Sequence, residues 1–249
     1  MLMRKARVAL TPRNCLLKTK ISNGATVCGL NRPGYGGRGI YIYRDAIEPE
    51  FEHLLEFLTP AGVFVDIGAN TGIYTLKSAK YLAENGGMVV ALEPFPEMLA
   101  MLQHNVQLNG LNNVRLRNLC AGNHTHAAVL WKNFEKPNSF SLMQRDKNAA
   151  GHSVLVVALD DLFEWEGITR LDYLKIDAEG AEAQILSGAK KIIEKFRPII
   201  QVEINLVDLK ISLPEYSAFQ AETKSINRLL IPNENPKIAI PQKLGWNKI

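Results

Sequence analysis

The sequence predicts an α/β domain: a doubly wound, mostly parallel sheet with helices on both faces, an extra β insert and a basic N-terminal extension. Three observations predict it. Short, continuous apolar runs such as Val63–Ile67 and Met88–Leu92 read as strands buried on both faces. Segments with apolar residues at helical spacing follow them. Gly, Asn and Pro punctuate the junctions, where one element must stop and the next begin.

The strand at 63–67 stops at Gly68, and a helix is expected over 71–84, closed by Asn85-Gly86-Gly87. After the strand at 88–92, Pro96 suits the first turn of a helix whose Leu99, Leu102 and Val106 share a face, ending at Asn109-Gly110. A third strand at 114–119 completes β-α-β-α-β, half of a doubly wound sheet. Strands at 127–131 and 153–159, separated by a polar stretch over 132–151, form the insert. The α/β rhythm resumes with a strand at 171–176 and one helix over 180–196, with Ile185, Ala189, Ile192, Ile193 and Phe196 on one face. Arg197-Pro198 breaks it before a strand at 199–204. Pro214, Pro232, Pro236 and Pro241 punctuate a tail with no ordered pattern. The chain thus divides into an extension, 1–45, and a single domain, 46–249, with a C-terminal tail after about residue 206.

The net charge of +4 over 249 residues averages two unlike parts. Residues 1–44 hold nine Lys and Arg and no Asp or Glu, leaving 20 basic against 25 acidic residues in the remainder. No apolar run approaches the roughly 18–20 residues of a membrane helix. A secretory apolar core is likewise missing. Cys15, Cys28 and Cys120 suit neither a disulfide framework nor a metal knuckle. These features point to a cytoplasmic protein; a mitochondrial leader is the alternative, and its few serines argue against it.

The sharpest motif is Val65-Asp66-Ile67-Gly68-Ala69-Asn70-Thr71-Gly72, where strand turns to helix at the ligand-binding edge of a parallel sheet. Gly68 and Gly72 would let backbone approach a ligand. The spacing departs from the pyrophosphate pattern Gly-x-Gly-x-x-Gly, and the Asp66 carboxylate would repel a pyrophosphate. An ammonium and a sulfonium suit it, as in S-adenosylmethionine. Glu93, at the end of the second strand and followed by Pro94, is placed to chelate the two hydroxyls of a ribose. Asp177, Glu179 and Glu203 gather at the same edge, after the strands at 171–176 and 199–204.

Three blocks, VDIGANTGIYTL (65–76), ALEPFPEM (91–98) and LKIDAEGAEAQILSGA (174–189), resemble the FkbM-type S-adenosylmethionine-dependent methyltransferases. Arg38–Ile42, Glu48-Pro49-Glu50 and Leu159-Asp160-Asp161-Leu162 fit as well, so the resemblance covers roughly residues 38–205. It implies a class I, Rossmann-like methyltransferase fold and O-methylation of sugar or glycan hydroxyls; the alternatives are methylation of another small hydroxylated metabolite or lipid, and a methyltransferase fold kept for nucleic-acid binding or without catalysis. The cofactor set is then Asp66, Gly68, Ala69, Asn70, Thr71, Gly72, Glu93, Pro94 and Asp177. Asp177 leads as base or acceptor-orienting group, ahead of Glu179 and Glu203, with His152 a distant alternative. Mg²⁺ on the three carboxylates is a possible but disfavoured cofactor, and His124-x-His126 alone is too little for zinc.

Partners follow from the same features. The acceptor is expected to be a sugar or glycan hydroxyl, with the segment 132–151, including Asn138, Ser139, Phe140 and Ser141, as a wall of its site and Trp131 or Phe140 stacking on it. The basic extension would attract an anionic substrate or a membrane surface. Nucleic acid is not favoured, because the body is acidic and lacks a recognisable RNA- or DNA-binding motif.

Overall fold

The computed structural model describes residues 1–32, 36–132, 140–141, 151–178, 180–204, 213–222 and 225–249. Helix α1 (Leu2–Leu10) and the hairpin β1 (Leu16–Lys20) and β2 (Thr26–Leu30) lead into α2 (Gly37–Tyr43), α3 (Pro49–Glu52) and α4 (Leu54–Phe57). The α/β unit follows as β3 (Val63–Ile67), α5 (Ile73–Ala83), β4 (Met88–Leu92), α6 (Pro96–Leu108) and β5 (Val114–Arg117). The insert comprises β6 (Cys120–Gly122), β7 (His126–Lys132), β8 (Phe140–Ser141) and β9 (Gly151–Ala158). The chain returns through α7 (Leu159–Trp165), β10 (Tyr173–Ile176), α8 (Glu182–Ser187), α9 (Lys190–Phe196) and β11 (Ile199–Glu203). Strands β12 (Tyr216–Gln220), β13 (Asn227–Pro232) and β14 (Asn247–Lys248) close the sheet, with α10 (Ile240–Lys243) between the last two.

The main sheet has the order β14-β12-β13-β11-β10-β3-β4-β5. Strands β5, β4, β3, β10 and β11 are parallel, and β13 runs against β11. Alternate residues of the central strands feed two cores. Phe64, Val89 and Tyr173 pack with Leu76, Leu82 and Leu102 of α5 and α6. Val65, Val90 and Leu174 pack on the other face with Leu162, Ile185 and Ile193. The doubly wound arrangement and the strands β3 and β4 match the sequence expectation.

Three local readings change. The helix expected over 180–196 is two, because Gly188 packs against the end of β6 so tightly that a Cβ would strike the Gly122 carbonyl oxygen. Asp160 then caps the second helix, accepting from the backbone N–H groups of Lys191 and Ile192. The strand expected over 114–119 ends at Arg117, and Cys120 opens the insert's own sheet, β6-β9-β7-β8. Residues after 206 are not a patternless tail: β12 and β13 pair with each other and join the main sheet through β11.

The basic extension is built into the body rather than solvated. Strand β2 would otherwise present an open edge, and two asparagines, one in α6 and one just after its end, occupy it as a strand would. Asn105 accepts from Cys28 N–H at 2.8 Å and donates to Cys28 C=O at 2.9 Å and to Thr71 C=O at 2.8 Å. Asn109 makes the same pair of bonds with Thr26, both at 2.7 Å. Asn105 is fully buried, so Asn105→Ala leaves three backbone groups without partners. It is expected to lower unfolding free energy by roughly 2–4 kcal/mol in urea denaturation, whereas a loss near zero would mean that β2 does not depend on it. Lys77 of α5, also buried, donates to Asp45, at 2.9 Å, and to the carbonyls of Phe51 and Glu52, tying α5 to the segment that carries Glu48 and Glu50.

Candidate active site

Register brings the site together. Lys175 of β10 lies directly across from Asp66 of β3 on one side and Gln201 of β11 on the other, so one row crosses three strands beneath α5. The next positions, at the C-terminal edge, are Gly68, Glu93, Asp177 and Glu203.

Asp66 has no exposed surface. Its Oδ2 accepts from Thr75 Oγ1 at 2.6 Å, and its Oδ1 lies 3.7 Å from Lys175 Nζ, without a hydrogen-bond partner among the described residues. Burial raises its pKa, partly offset by Lys175 and Thr75. Asp66 therefore sits under the turn, and any influence on a ligand is through charge. Lys175 bridges from Asp66 to Asp177 Oδ2, at 3.1 Å, with its ammonium 4.8 Å from the Tyr74 ring centre. Burial alone would lower the lysine pKa, but Asp177, Asp66 and Glu48 outweigh it, so Lys175 stays charged.

Asp177 keeps 37% of its side chain exposed, at the mouth of the site. Burial opposes its ionisation, yet Lys175 and a hydrogen bond with Glu203 hold its carboxyl below the ordinary range.

Glu93 is buried and accepts from Asn70 N–H at 2.8 Å and Phe95 N–H at 2.9 Å. Each oxygen keeps a second lone pair for a hydroxyl. Burial pushes its pKa to about 7 against those two bonds, with Asp66 and Asp177 adding repulsion. Because the folded value exceeds the unfolded one, its contribution to stability is complete below about pH 4.5 and is lost as pH rises through about 7. The ligand-free protein is expected to be more stable at pH 6 than at pH 8, by about 1 kcal/mol from this group. Thermal melts at the two values check it: a Glu93→Ala variant should lose the difference, and an unchanged slope would assign it elsewhere.

The two glycines of the turn serve packing. Gly68 and Gly72 have φ of +72° and +90°. A Cβ at Gly68 would strike the Asp177 carbonyl oxygen, and one at Gly72 would strike Leu102. Asn70 takes φ +51°, its side chain accepting from Thr71 N–H. Ala69 and Thr71 are buried, while Gly68, Asn70 and Pro94 reach the surface. Gly36, at the start of α2, closes over Asn70 and Thr71.

A second network lies behind Lys175. Tyr74 Oη donates to Glu48 at 2.6 Å and accepts from Gln201, which accepts from Tyr173 Oη at 2.9 Å. Ser225 and Asn227 donate to Glu50, whose pKa burial raises. The sequence motifs assign no role to Lys175, Tyr74, Gln201 or Asn227. Lys175 had a signal: a lysine between Leu174 and Ile176 in a strand buried on both faces must find a counter-charge.

Glu179 and the acceptor-wall residues Asn138 and Ser139 lie outside the described residues, as do the side chains of Phe140 and Ser141. His124 and His126 stack on each other, ring centres 4.3 Å apart. Among the described residues no group of three His, Cys, Asp or Glu side chains is arranged to hold a metal ion.

Residues 66–230 match the family described as the methyltransferase FkbM domain. Methyltransferase 1 of Beauveria bassiana (strain ARSEF 2860) is 27% identical over 165 residues, covering 59% of this chain; the chain spans 65%, just under two thirds, of that relative's length. Among solved structures, methyltransferase FkbM from Methylobacillus flagellatus KT is 19% identical, with 78% of this chain and 52% of that one covered and a TM-score of 0.48. An rRNA methylase from Streptococcus thermophilus is 12% identical, covering 72% and 90%, with a TM-score of 0.42.

Proposed function

The chain belongs to the FkbM methyltransferase family, with a class I, Rossmann-like α/β fold, and on that premise we propose that it transfers a methyl group from S-adenosylmethionine to a hydroxyl of a sugar, glycan or glycosylated metabolite. The observation that carries the reading is the half-exposed Asp177 carboxylate, held ionised by Lys175 and packed against the Gly68 turn, on the same edge as Glu93.

The site's residues fit the donor. Asp66, Glu93 and Asp177 repel one another, and a ligand carrying an ammonium and a sulfonium relieves that repulsion where a pyrophosphate would add to it. Gly68 and Asn70, which reach the surface of the turn, would hold it there, with Ala69, Thr71 and Gly72 shaping the turn beneath them, Glu93 and Pro94 at the ribose end, and Asp177 at the rim. When bound, S-adenosylmethionine supplies an electrophilic methyl carbon beside a good leaving group.

The chain supplies alignment and a place for the proton. Asp177 accepts the hydroxyl hydrogen bond and turns the oxygen's lone pair toward the reacting carbon. A carboxylate with a lowered pKa is a weak base, but it suffices. The hydroxyl oxygen gains positive charge as its new bond forms, so its proton becomes strongly acidic and passes to Asp177 late in the step. Glu203 and Lys175 keep the acceptor oxygen of Asp177 in place.

Calorimetry with S-adenosylhomocysteine tests the donor: binding is expected, and its absence ends the reading. Transfer of labelled methyl to a glycan fraction tests the acceptor. A methyl ether survives alkali, so label released as methanol would move the reaction to a carboxyl group.

A further inference from the structure

The outer face of α1 is apolar, and among the described residues nothing packs on it. Val8 is the buried residue of the helix, meeting Leu17 and Tyr41, and Arg4 reaches inward to Thr19 and the Tyr41 carbonyl. At 100° per residue the opposite side is made of Leu2, Met3, Ala6 and Leu10. Leu2, Met3 and Leu10 are 85%, 88% and 86% exposed. Lys5 and Arg7, both exposed, border that face on either side, and Arg13 follows just beyond the helix.

We propose that this face docks on an anionic phospholipid bilayer, with α1 lying in the interface, its apolar side among the acyl chains and Lys5, Arg7 and Arg13 at the headgroups. Charge complementarity selects this occupant. With no Asp or Glu in residues 1–44, a second copy meeting the first through α1 would bring Lys5 and Arg7 of both together uncompensated. A nucleic acid would satisfy the cations but leave Leu2, Met3 and Leu10 against a polyanion. An interfacial helix uses both components at once. Among the described residues no helix is long and apolar enough to cross a membrane, so the association is peripheral and reversible.

The docking face is mechanically joined to the site. Asn31 donates to the carbonyls of Val8 and Thr11 at the end of α1 and accepts from Arg38 of α2 at 2.6 Å. Gly36, the residue before α2, rests on Asn70 and Thr71 of the turn. A bilayer that holds α1 therefore holds the mouth of the site at a set distance from the lipid surface.

Co-sedimentation of the full chain with vesicles tests the proposal, using phosphatidylcholine alone or mixed with phosphatidylglycerol. Binding is expected on the mixed vesicles only and is expected to weaken in high salt. The triple variant L2Q/M3Q/L10Q and the double variant K5Q/R7Q change exposed side chains, and circular dichroism verifies that both fold. Each is expected to bind the mixed vesicles about tenfold more weakly or worse. Failure of the native chain to bind, or undiminished binding by the triple variant, overturns the proposal. So does self-association in sedimentation equilibrium, or duplex DNA binding, that the triple variant abolishes.

Discussion

Asp177→Asn is expected to lower methyl transfer by about 10²–10⁴-fold, the usual contribution of a positioned proton acceptor, while S-adenosylhomocysteine affinity changes only a few-fold. Asparagine preserves the shape and one acceptor oxygen but cannot take the hydroxyl proton. Steady-state transfer to a glycan fraction and calorimetry on the same preparation separate the two quantities. Full turnover would remove Asp177 from the reaction; loss of donor binding in parallel with turnover would make it a donor-binding group instead. Glu203→Gln should show a smaller loss, because it acts on the substrate through Asp177.

Lys175→Met is expected to cost about 3–5 kcal/mol of stability at neutral pH, since it strips a buried carboxylate of its counter-charge. Asp66, already raised by burial, would rise further. A folded-state pKa above the unfolded one favours folding at low pH and stops doing so as pH climbs through the folded value. The variant should therefore regain stability between pH 8 and pH 5. Adding Asp66→Asn should restore much of the loss at neutral pH, because an amide oxygen still accepts from Thr75 and carries no charge. Urea denaturation of the single and double variants decides this. A pH-independent loss without rescue would show that the lysine stem, not its charge, matters.

The legible parts of this protein were those encoded by neighbours in sequence. Strands β3 and β4 were readable to the residue because an apolar run between turn residues has few other solutions. Asp66, Glu93 and Asp177 were readable as one edge because parallel strands place their C-termini together. The network of Glu48, Tyr74, Gln201 and Asn227 was not, because its members come from distant segments and meet only through the sheet order. Strands β12 and β13 are hidden because Pro214 precedes the first, Pro232 ends the second, and the apolar run of β13 is only Leu229-Leu230-Ile231. The charge of residues 1–44 says nothing of Val27 and Ile40, the side chains that pack that segment onto the body, or of Leu17, which packs inside the segment against Val8 and Tyr41. The helix break at Gly188 was invisible because its cause is a carbonyl more than sixty residues earlier.

The contact between Gly68 and the Asp177 carbonyl has a consequence for what this scaffold can be adapted to do. Two loops in backbone contact behave as one rigid jaw, so the span between the Gly68 turn and the rim carboxylate cannot be retuned by exchanging side chains. A larger residue at 68 would pry the jaw open and misalign the reaction rather than widen the choice of acceptor. Adaptation to new acceptors must proceed through the outer rim, and a side chain added at Gly36, which rests on Asn70 and Thr71, would crowd the turn rather than move the jaw.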